Sequence, residues 1–160
     1  RLDDTLAIVK LEGDAVFSHV SDEQMSDCNT MLELLDDTYR IFRDSVRDLH
    51  AQATCPCKAC KAIPTLDLKF LVHHGEYVVQ QVAGIKDLLG SDVTLIHRLA
   101  KNRVTESMGW NGYIVFTGKC LEKMGADKKP FVQQAETYEH LGDVETYVMD
   151  LHVRYEGMRK

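Results

Sequence analysis

The first apolar positions of the chain form two short runs on either side of a polar turn. Residues 6–11 and 15–20 are rich in aliphatic and β-branched side chains, and Glu12-Gly13-Asp14 lies between them. Short runs of this kind joined by a glycine-containing turn are typical of a β-hairpin. We therefore predict a hairpin with Lys10 on its first strand and Asp14 at its turn.

The next segment has the period of a helix. Apolar side chains recur alternately every three and four residues from Met25 to Leu49, which places them in one stripe. Ser21-Asp22-Glu23-Gln24 has the form of a capping box, so the helix is predicted to begin there and to end by Thr54. An amphipathic helix beside strands usually packs on their sheet. The same spacing would also suit a coiled coil or a docked partner helix.

The remaining patterns alternate between strand and helix. Residues 66–73 and 77–82 read as two strands of a second hairpin, and residues 91–106 as a helix with Ser91 as its N-cap. Further strands are predicted at 113–116, 133–140 and 145–155, with a short helix at 119–124. The chain contains no internal repeat or low-complexity linker. This pattern predicts one α+β domain over residues 1–160.

Composition and charge exclude several functional classes. The chain has 160 residues, a formal net charge of -6 and a pI near 5.6. An acidic chain of this kind lacks the positive surface that generic nucleic-acid binding requires. Its apolar runs are shorter than the roughly 18 residues of a membrane span. We therefore expect a cytoplasmic protein that binds neither nucleic acid nor membrane.

Three of the five cysteines lie within six residues, at Cys55, Cys57 and Cys60. This crowding, and the odd total, suit a reducing compartment better than an oxidising one. Thiolates at such spacing converge readily on a tetrahedral Zn²⁺ ion, with His50 or a more distant cysteine as the fourth ligand. The second Cys-x-x-Cys of the common zinc patterns is missing, so free thiols in a loop are the alternative.

Side chains able to do chemistry recur at three places. Lys10 and Asp14 could offer a cation and a metal ligand at one end of a sheet. Thr94 and Arg98 lie one helical turn apart, so a hydroxyl and a guanidinium could hold a sugar and a phosphate. His73-His74-Gly75 ends an apolar strand. A solvated turn carboxylate, a surface arginine and a hydrogen-bonded strand histidine are the ordinary alternatives for each place taken alone.

Taken in order, these features resemble the class III adenylyl and guanylyl cyclases. That family has a Lys-x-x-Gly-Asp hairpin, an apolar strand ending in His-x-Gly, and an acidic residue followed by Gly-x-x-Val-Asn-x-x-x-Arg-Leu. The matching residues are Lys10, Gly13 and Asp14, then His73 and Gly75, then Asp87, Gly90, Val93, Thr94, Arg98 and Leu99. The cysteine insert and the Tyr138-Glu139-His140-Leu141-Gly142 segment further resemble an uncharacterised bacterial family of cyclase-like domains.

The resemblance implies a role for each matched residue. Asp14 would bind Mg²⁺ or Mn²⁺, which neutralises a triphosphate. Lys10 and Asp87 would read the purine edge as a donor and an acceptor. Arg98 would stabilise charge on the α-phosphate as pyrophosphate leaves. Thr94 stands where the family has a ribose-orienting Asn, and it offers one hydroxyl in place of an amide.

The resemblance also implies an architecture and an assembly. The expected fold is a ferredoxin-like cyclase-homology domain of the α+β class, with helices packed on a mixed, mainly antiparallel sheet. The expected reaction converts a purine nucleoside triphosphate to 3′,5′-cyclic AMP or GMP in a site between two head-to-tail protomers, so a homodimer is implied. A non-catalytic nucleotide-sensing or dimerisation module is the alternative.

One part of the family pattern has no counterpart in this sequence. The family has an earlier strand, which carries a second metal-binding Asp and is followed by a helix. In the family's sheet this strand lies between the hairpin and the strand that matches residues 66–73. We hypothesise that a segment outside this sequence, or a neighbouring chain, supplies this strand. Direct pairing of the hairpin with residues 66–73 would overturn the hypothesis, because it would leave no place for the strand.

Overall fold

The computed structural model describes residues 6–25 and 27–159, in which strands and helices are mixed along the chain. The strands are β1 (Ala7–Glu12), β2 (Ala15–His19), β3 (Lys69–Val72), β4 (Val78–Val82), β5 (Ile85–Leu89), β6 (Tyr113–Thr117), β7 (Val132–Tyr138) and β8 (Gly142–Asp150). The helices are α1 (Cys28–Gln52), α2 (Lys58–Ala62), α3 (Ser91–Leu99), α4 (Val104–Met108), α5 (Gly118–Lys123) and α6 (Leu151–Met158), and Ile63–Thr65 form a 3₁₀ turn. This architecture confirms the predicted α+β class. Every described helix is too short or too polar to cross a lipid bilayer.

A four-stranded sheet with the order β3-β6-β8-β7 forms the centre of the molecule. β3 runs parallel to β6, and the other two pairs are antiparallel. All five residues of β6 are buried, because helices cover both faces of the sheet at this strand. Side chains alternate between the two faces of a strand. Ile114 and Phe116 therefore join the core under α1, while Tyr113 and Val115 pack near α4.

Helix α1 contributes its apolar stripe to the larger core, as predicted. Leu35 and Tyr39 are buried in this core, whereas the predicted member Leu49 is exposed. The core also draws on β6, β8, α5 and α6, and its buried members are Met25, Cys28, Met31, Leu35, Tyr39, Ile114, Phe116, Cys120, Leu121, Phe131, Tyr147, Met149, Leu151 and Tyr155.

The start of α1 differs from the prediction. Residues Ser21 to Gln24 form a turn instead of the first helical turn, and the helix begins after Asp27. The Asp27 carboxylate accepts hydrogen bonds from the N–H groups of Asn29 and Thr30, so it satisfies two amide donors that a helix start leaves free. Ser26, within the predicted helix, lies outside the described residues.

The second hairpin also differs from the prediction. β3 does not turn back onto β4 but pairs with β6, and β4 pairs with β5. The turn between β4 and β5 consists of Ala83 and Gly84, whose φ angles of 51° and 82° match the two-residue turns that suit the twist of a hairpin. Asp87 therefore lies on a strand, β5, that the sequence pattern did not predict.

Two further boundaries were wrong. The predicted 91–106 helix is split into α3 and α4, because Asn102 donates to the Leu99 carbonyl and accepts from the Val104 N–H. The predicted 145–155 strand ends at Asp150, whose carboxylate caps α6 through the N–H groups of His152 and Val153. In both cases a short polar side chain satisfies backbone groups and ends the element.

The β1–β2 hairpin forms a sheet of its own. Among the described residues it has no hydrogen-bonded neighbouring strand, and it does not pair with β3. The outcome that would overturn the missing-strand hypothesis is therefore not observed. The hairpin is held at its base, where Asp22 lies 3.1 Å from His74 and 2.9 Å from Lys123.

Candidate functional site

Lys10 and Asp87 are 77 positions apart in the sequence and meet where β1 lies against β5. The Lys10 Nζ atom is 3.1 Å from Asp87 Oδ1 and 3.0 Å from Glu12 Oε1. The hydrogen bonds that Lys10 donates to Glu12 and Asp87 raise the pKa of Lys10, and the ammonium of Lys10 lowers the pKa of Asp87. The two residues expected to lie together thus form one half-exposed ion cluster.

An aromatic surface borders this cluster. Lys10 pairs with Phe17 across the hairpin, and its Nζ atom lies 5.7 Å from the centre of the Phe17 ring. The Phe17 and His97 rings are 4.8 Å apart, and His97 Nδ1 is 3.3 Å from Glu12 Oε2. Sequence reasoning missed Glu12, Phe17 and His97 as site residues. The cross-strand register of a tight hairpin was the signal that could have found Phe17.

Asp14 lies at the tip of the β1–β2 hairpin. Gly13, with a φ angle of 63°, supplies the left-handed backbone that the turn needs. The Asp14 side chain is exposed, and no hydrogen bond or ion pair joins it to another residue of 6–25 or 27–159. Its carboxylate is therefore available to a cation, but the structure does not bring it into contact with the Lys10 cluster.

Thr94 and Arg98 lie one turn apart on α3, as the sequence indicated. Both are exposed, and the Thr94 hydroxyl donates to the Gly90 carbonyl at 3.2 Å. The Arg98 guanidinium forms no ion pair with any described residue. Since α3 follows β5 directly and packs against it, Asp87 and these two side chains belong to one continuous segment.

A buried hydrogen-bond network fixes the first turn of α3. His73 Nε2 lies 2.8 Å from Asp92 Oδ1, and His73 Nδ1 lies 2.8 Å from Thr117 Oγ1. A carboxylate can only accept, so Nε2 carries the proton and the Thr117 hydroxyl donates to Nδ1. Burial lowers the pKa of His73, which keeps this neutral tautomer in place. Asp92 also accepts the Glu76 N–H at 2.9 Å.

Gly75 is the second fixed residue of the His-x-Gly motif. A methyl group at this position would overlap the side chain of Asp92, so any larger residue would displace the carboxylate. In this chain the motif therefore has a structural role. His73 binds Asp92, and Gly75 leaves room for it.

The three crowded cysteines form a compact group between α1 and α2. The Sγ atoms of Cys55, Cys57 and Cys60 all lie within 4.8 Å of one another, so the cluster could hold a metal ion. The Cys60 N–H donates to Cys57 Sγ at 3.5 Å. This bond, together with hydrogen bonds from the Cys55 and Cys60 thiols, lowers the pKa of Cys57 to about 7.

A second polar group, which is partly buried, ties α1 to α6. The Tyr39 hydroxyl donates to Asp67 Oδ1 at 2.9 Å, and His152 Nε2 is 2.6 Å from Asp67 Oδ2. Burial raises the pKa of Tyr39 far above its ordinary range, with a further contribution from Asp67. A Cβ on Gly112 would approach Asp67 and Tyr39 too closely. We interpret this group as structural, because its members form hydrogen bonds to one another.

Comparison with known proteins identifies a family and one relative. Residues 2–108 match a family described as "Protein of unknown function (DUF2652)", and this span includes both hairpins, the cysteine cluster and α3. The uncharacterised protein Rv2561/Rv2562 of Mycobacterium tuberculosis is 30% identical over 151 residues, which is 91% of this chain and 66% of that protein. The chain thus spans just under two thirds of the length of this relative. No solved structure is significantly similar to the chain. The chain belongs to the DUF2652 family.

Proposed function

We propose that this domain binds a purine nucleoside triphosphate between its two hairpins and α3. The observation that carries the proposal is the 3.1 Å contact of Lys10 with Asp87 beside the Phe17 ring. An ammonium donor and a carboxylate acceptor together can recognise the polar edge of a purine. An aromatic ring at the same place offers a stacking surface for the base.

The phosphate end of the proposed ligand would lie towards α3 and the hairpin tip. Arg98 presents a planar fork of donors with no ion-pair partner among the described residues, and such a fork suits a phosphate. Mg²⁺ or Mn²⁺, when bound with the triphosphate, would neutralise phosphate charge and help to activate the 3′-hydroxyl. Asp14 is the carboxylate proposed to hold it, since Mg²⁺ is commonly held by one or two carboxylates and substrate phosphates.

The proposed reaction is cyclisation at the α-phosphorus. The 3′-oxygen of the ribose bonds to the α-phosphorus, the bond from this phosphorus to the pyrophosphate oxygen breaks, and the 3′-hydroxyl proton passes to water. The products are a 3′,5′-cyclic monophosphate and pyrophosphate. Arg98 would stabilise the charge that develops on the α-phosphate, and the Thr94 hydroxyl would orient the ribose.

A second copy of this chain is the proposed macromolecular partner. The hairpins expose large apolar side chains, among them Leu11 at 72% and Ile85 at 73%. Exposed apolar residues grouped on neighbouring strands are typical of an interaction surface. A homodimer would cover this surface and would add a second set of residues to the open side of the ion cluster.

We also propose that the metal of the cysteine cluster is zinc. Thiolates at close spacing are the usual ligands of structural Zn²⁺ in proteins. Three unpaired thiols in six residues also support a cytoplasmic location, because the cytosol keeps thiols reduced.

One observation favours a different function, a nucleotide-sensing or dimerisation module without catalysis. Thr94 offers a single hydroxyl, and this hydroxyl already donates to the Gly90 carbonyl. A poorly oriented ribose would slow the reaction steeply and leave binding largely intact.

The decisive experiment incubates the full-length protein with ATP or GTP and with Mg²⁺ or Mn²⁺. Cyclic nucleotide and nucleotide binding are measured separately, by chromatography and by calorimetry. We expect a cyclic product that is lost in Asp14→Ala and retained in the control Asp48→Ala, an exposed aspartate on α1. Binding without product would favour the sensing module, and neither binding nor product would overturn the proposal.

A further inference from the structure

The end of α1 faces the cysteine cluster across a small cleft. His50, Ala53, Thr54, Cys55, Pro56, Cys60 and Lys61 line this cleft, which has a volume of about 240 Å³. We infer that His50 is the fourth ligand of a closed, tetrahedral Cys₃His zinc site, and that the ion ties the end of α1 to α2. This inference rests on the proposal that the cluster binds zinc, and it does not depend on nucleotide binding.

The spacing of the three thiols suits such a site. A tetrahedral ion with Zn–S bonds of about 2.3 Å holds its sulfur atoms about 3.8 Å apart. The Sγ atoms of the cluster already lie within 4.8 Å of one another. Cys55 and Cys57 are exposed and Cys60 is half-buried, so small side-chain rotations can close the remaining distance without disturbing a packed core.

The structure distinguishes between the two sources of a fourth ligand. The other cysteines, Cys28 and Cys120, are buried in the main core among the side chains of α1 and β6. Neither thiol can reach the cysteine cluster unless this core unfolds. His50 is exposed in the last turn of α1 and lines the same cleft as Cys55 and Cys60. Among the residues that line this cleft, His50 is the one with an imidazole ring.

Packing holds α2 mainly through the 3₁₀ turn at Ile63–Thr65, which follows α2 and packs against α1. The helix has five residues, none of them buried, and a helix of this length is not stable by itself in water. A metal ion bound by Cys55, Cys57, Cys60 and His50 would fix both ends of the connection from α1 to α2. Binding free energy at such sites acts as folding free energy.

Charge around the cluster is also suitable. Three thiolates and a neutral imidazole around Zn²⁺ carry one net negative charge. Lys58 and Lys61 lie on α2 beside the cysteines, and both are exposed. Their ammonium groups would offset the net negative charge of the occupied site.

The test measures zinc content and affinity in protein purified without a His tag. We expect one zinc ion per chain, its loss in Cys57→Ser, and an affinity at least about tenfold lower in His50→Ala. His50→Cys should restore tight binding, because a thiolate can replace the imidazole as a fourth ligand. His140→Ala, a change of an exposed histidine outside the cleft, serves as the control.

Cobalt substitution shows the ligand set directly. We expect the visible spectrum of tetrahedral Co²⁺, with a thiolate charge-transfer band that grows in His50→Cys and d–d bands that shift in His50→Ala. Wild-type protein that holds less than half an equivalent of zinc would overturn the zinc proposal itself. One full equivalent, with the same affinity and the same cobalt spectrum in His50→Ala, would overturn His50 as a ligand and leave zinc binding in place.

Discussion

The central sheet and the two hairpins differ in how completely their own chain covers them. In the central sheet, every residue of β6 is buried between helices. In the hairpins, Leu11 and Ile85 expose most of their side chains. The hairpins nevertheless carry Lys10, Asp14 and Asp87. The comparison shows that helices of the same chain cover the central strand β6, whereas the candidate site lies on hairpins that expose large apolar side chains.

The largest expected effect is the difference in stability between a substitution in the central sheet and one in a hairpin. Phe116→Ala removes a fully buried ring from β6, so we expect a loss of about 3–5 kcal/mol in the free energy of unfolding. Ile85→Ala truncates an exposed side chain of β5 and should change the free energy of unfolding by less than about 0.5 kcal/mol. Urea unfolding at low protein concentration measures both. A large loss in Ile85→Ala would show that the hairpin surface is covered in solution.

A smaller effect is expected at the junction of the two regions. Gly75→Ala places a methyl group against Asp92 and should cost about 1–3 kcal/mol, because the carboxylate or the loop must move. Gly157→Ala is the matched control, since a methyl group there meets open space on α6. That control should be neutral or slightly stabilising. Equal thermal midpoints for the two variants would contradict the close approach of Gly75 to Asp92.

The pH dependence of the free energy of unfolding should reflect the protonation of His73. Its pKa is lowered by burial, so the unfolded chain binds a proton near the ordinary value of 6.5 while the folded chain does not. Stability from this residue is therefore present above pH 6.5 and is lost as the pH falls. Between pH 7 and pH 5, His73→Gln should lose stability less steeply than the wild type in urea unfolding. Parallel curves would indicate that His73 is protonated in the folded state.

The smallest effect concerns the ion cluster on the hairpins. Lys10→Met removes the ammonium that lowers the pKa of Asp87, so this pKa should rise towards its ordinary value with little change in stability. Carboxyl NMR titration measures the shift. Lys101→Met, a change of another exposed lysine, should leave the titration of Asp87 as it is. An unchanged pKa of Asp87 in Lys10→Met would contradict the contact between Lys10 and Asp87 on which the nucleotide proposal rests.

The sequence predicted individual strands and helices better than it predicted which strands pair with one another. The first hairpin and the stripe of α1 follow from local periodicity, and the structure confirms both. The partner of β3 is β6, about forty positions later, and no local pattern encodes such a pairing. The β4–β5 hairpin was missed because Ala83 is not a residue type that usually adopts a positive φ angle.

The same division holds for the candidate site. Asp14, Thr94 and Arg98 lie at the hairpin tip and on the helix where their motifs placed them. Phe17 and His97 enter only through cross-strand register and helix packing, which the motifs do not encode. The register of the predicted hairpin could have placed Phe17 beside Lys10, whereas the position of His97 depends on how the hairpin packs against α3.

The attachment of the first hairpin has a mechanical consequence. Asp22 fixes its base to His74 and Lys123, while its tip has no hydrogen-bonded neighbouring strand among the described residues. A second attachment lies close to the tip, where Glu12 contacts His97 of α3 at 3.3 Å. Lys10 is restrained by Asp87, and Asp14 lies two residues beyond Glu12 in the turn. The Glu12–His97 contact therefore limits how far the tip, and Asp14 with it, can move relative to α3.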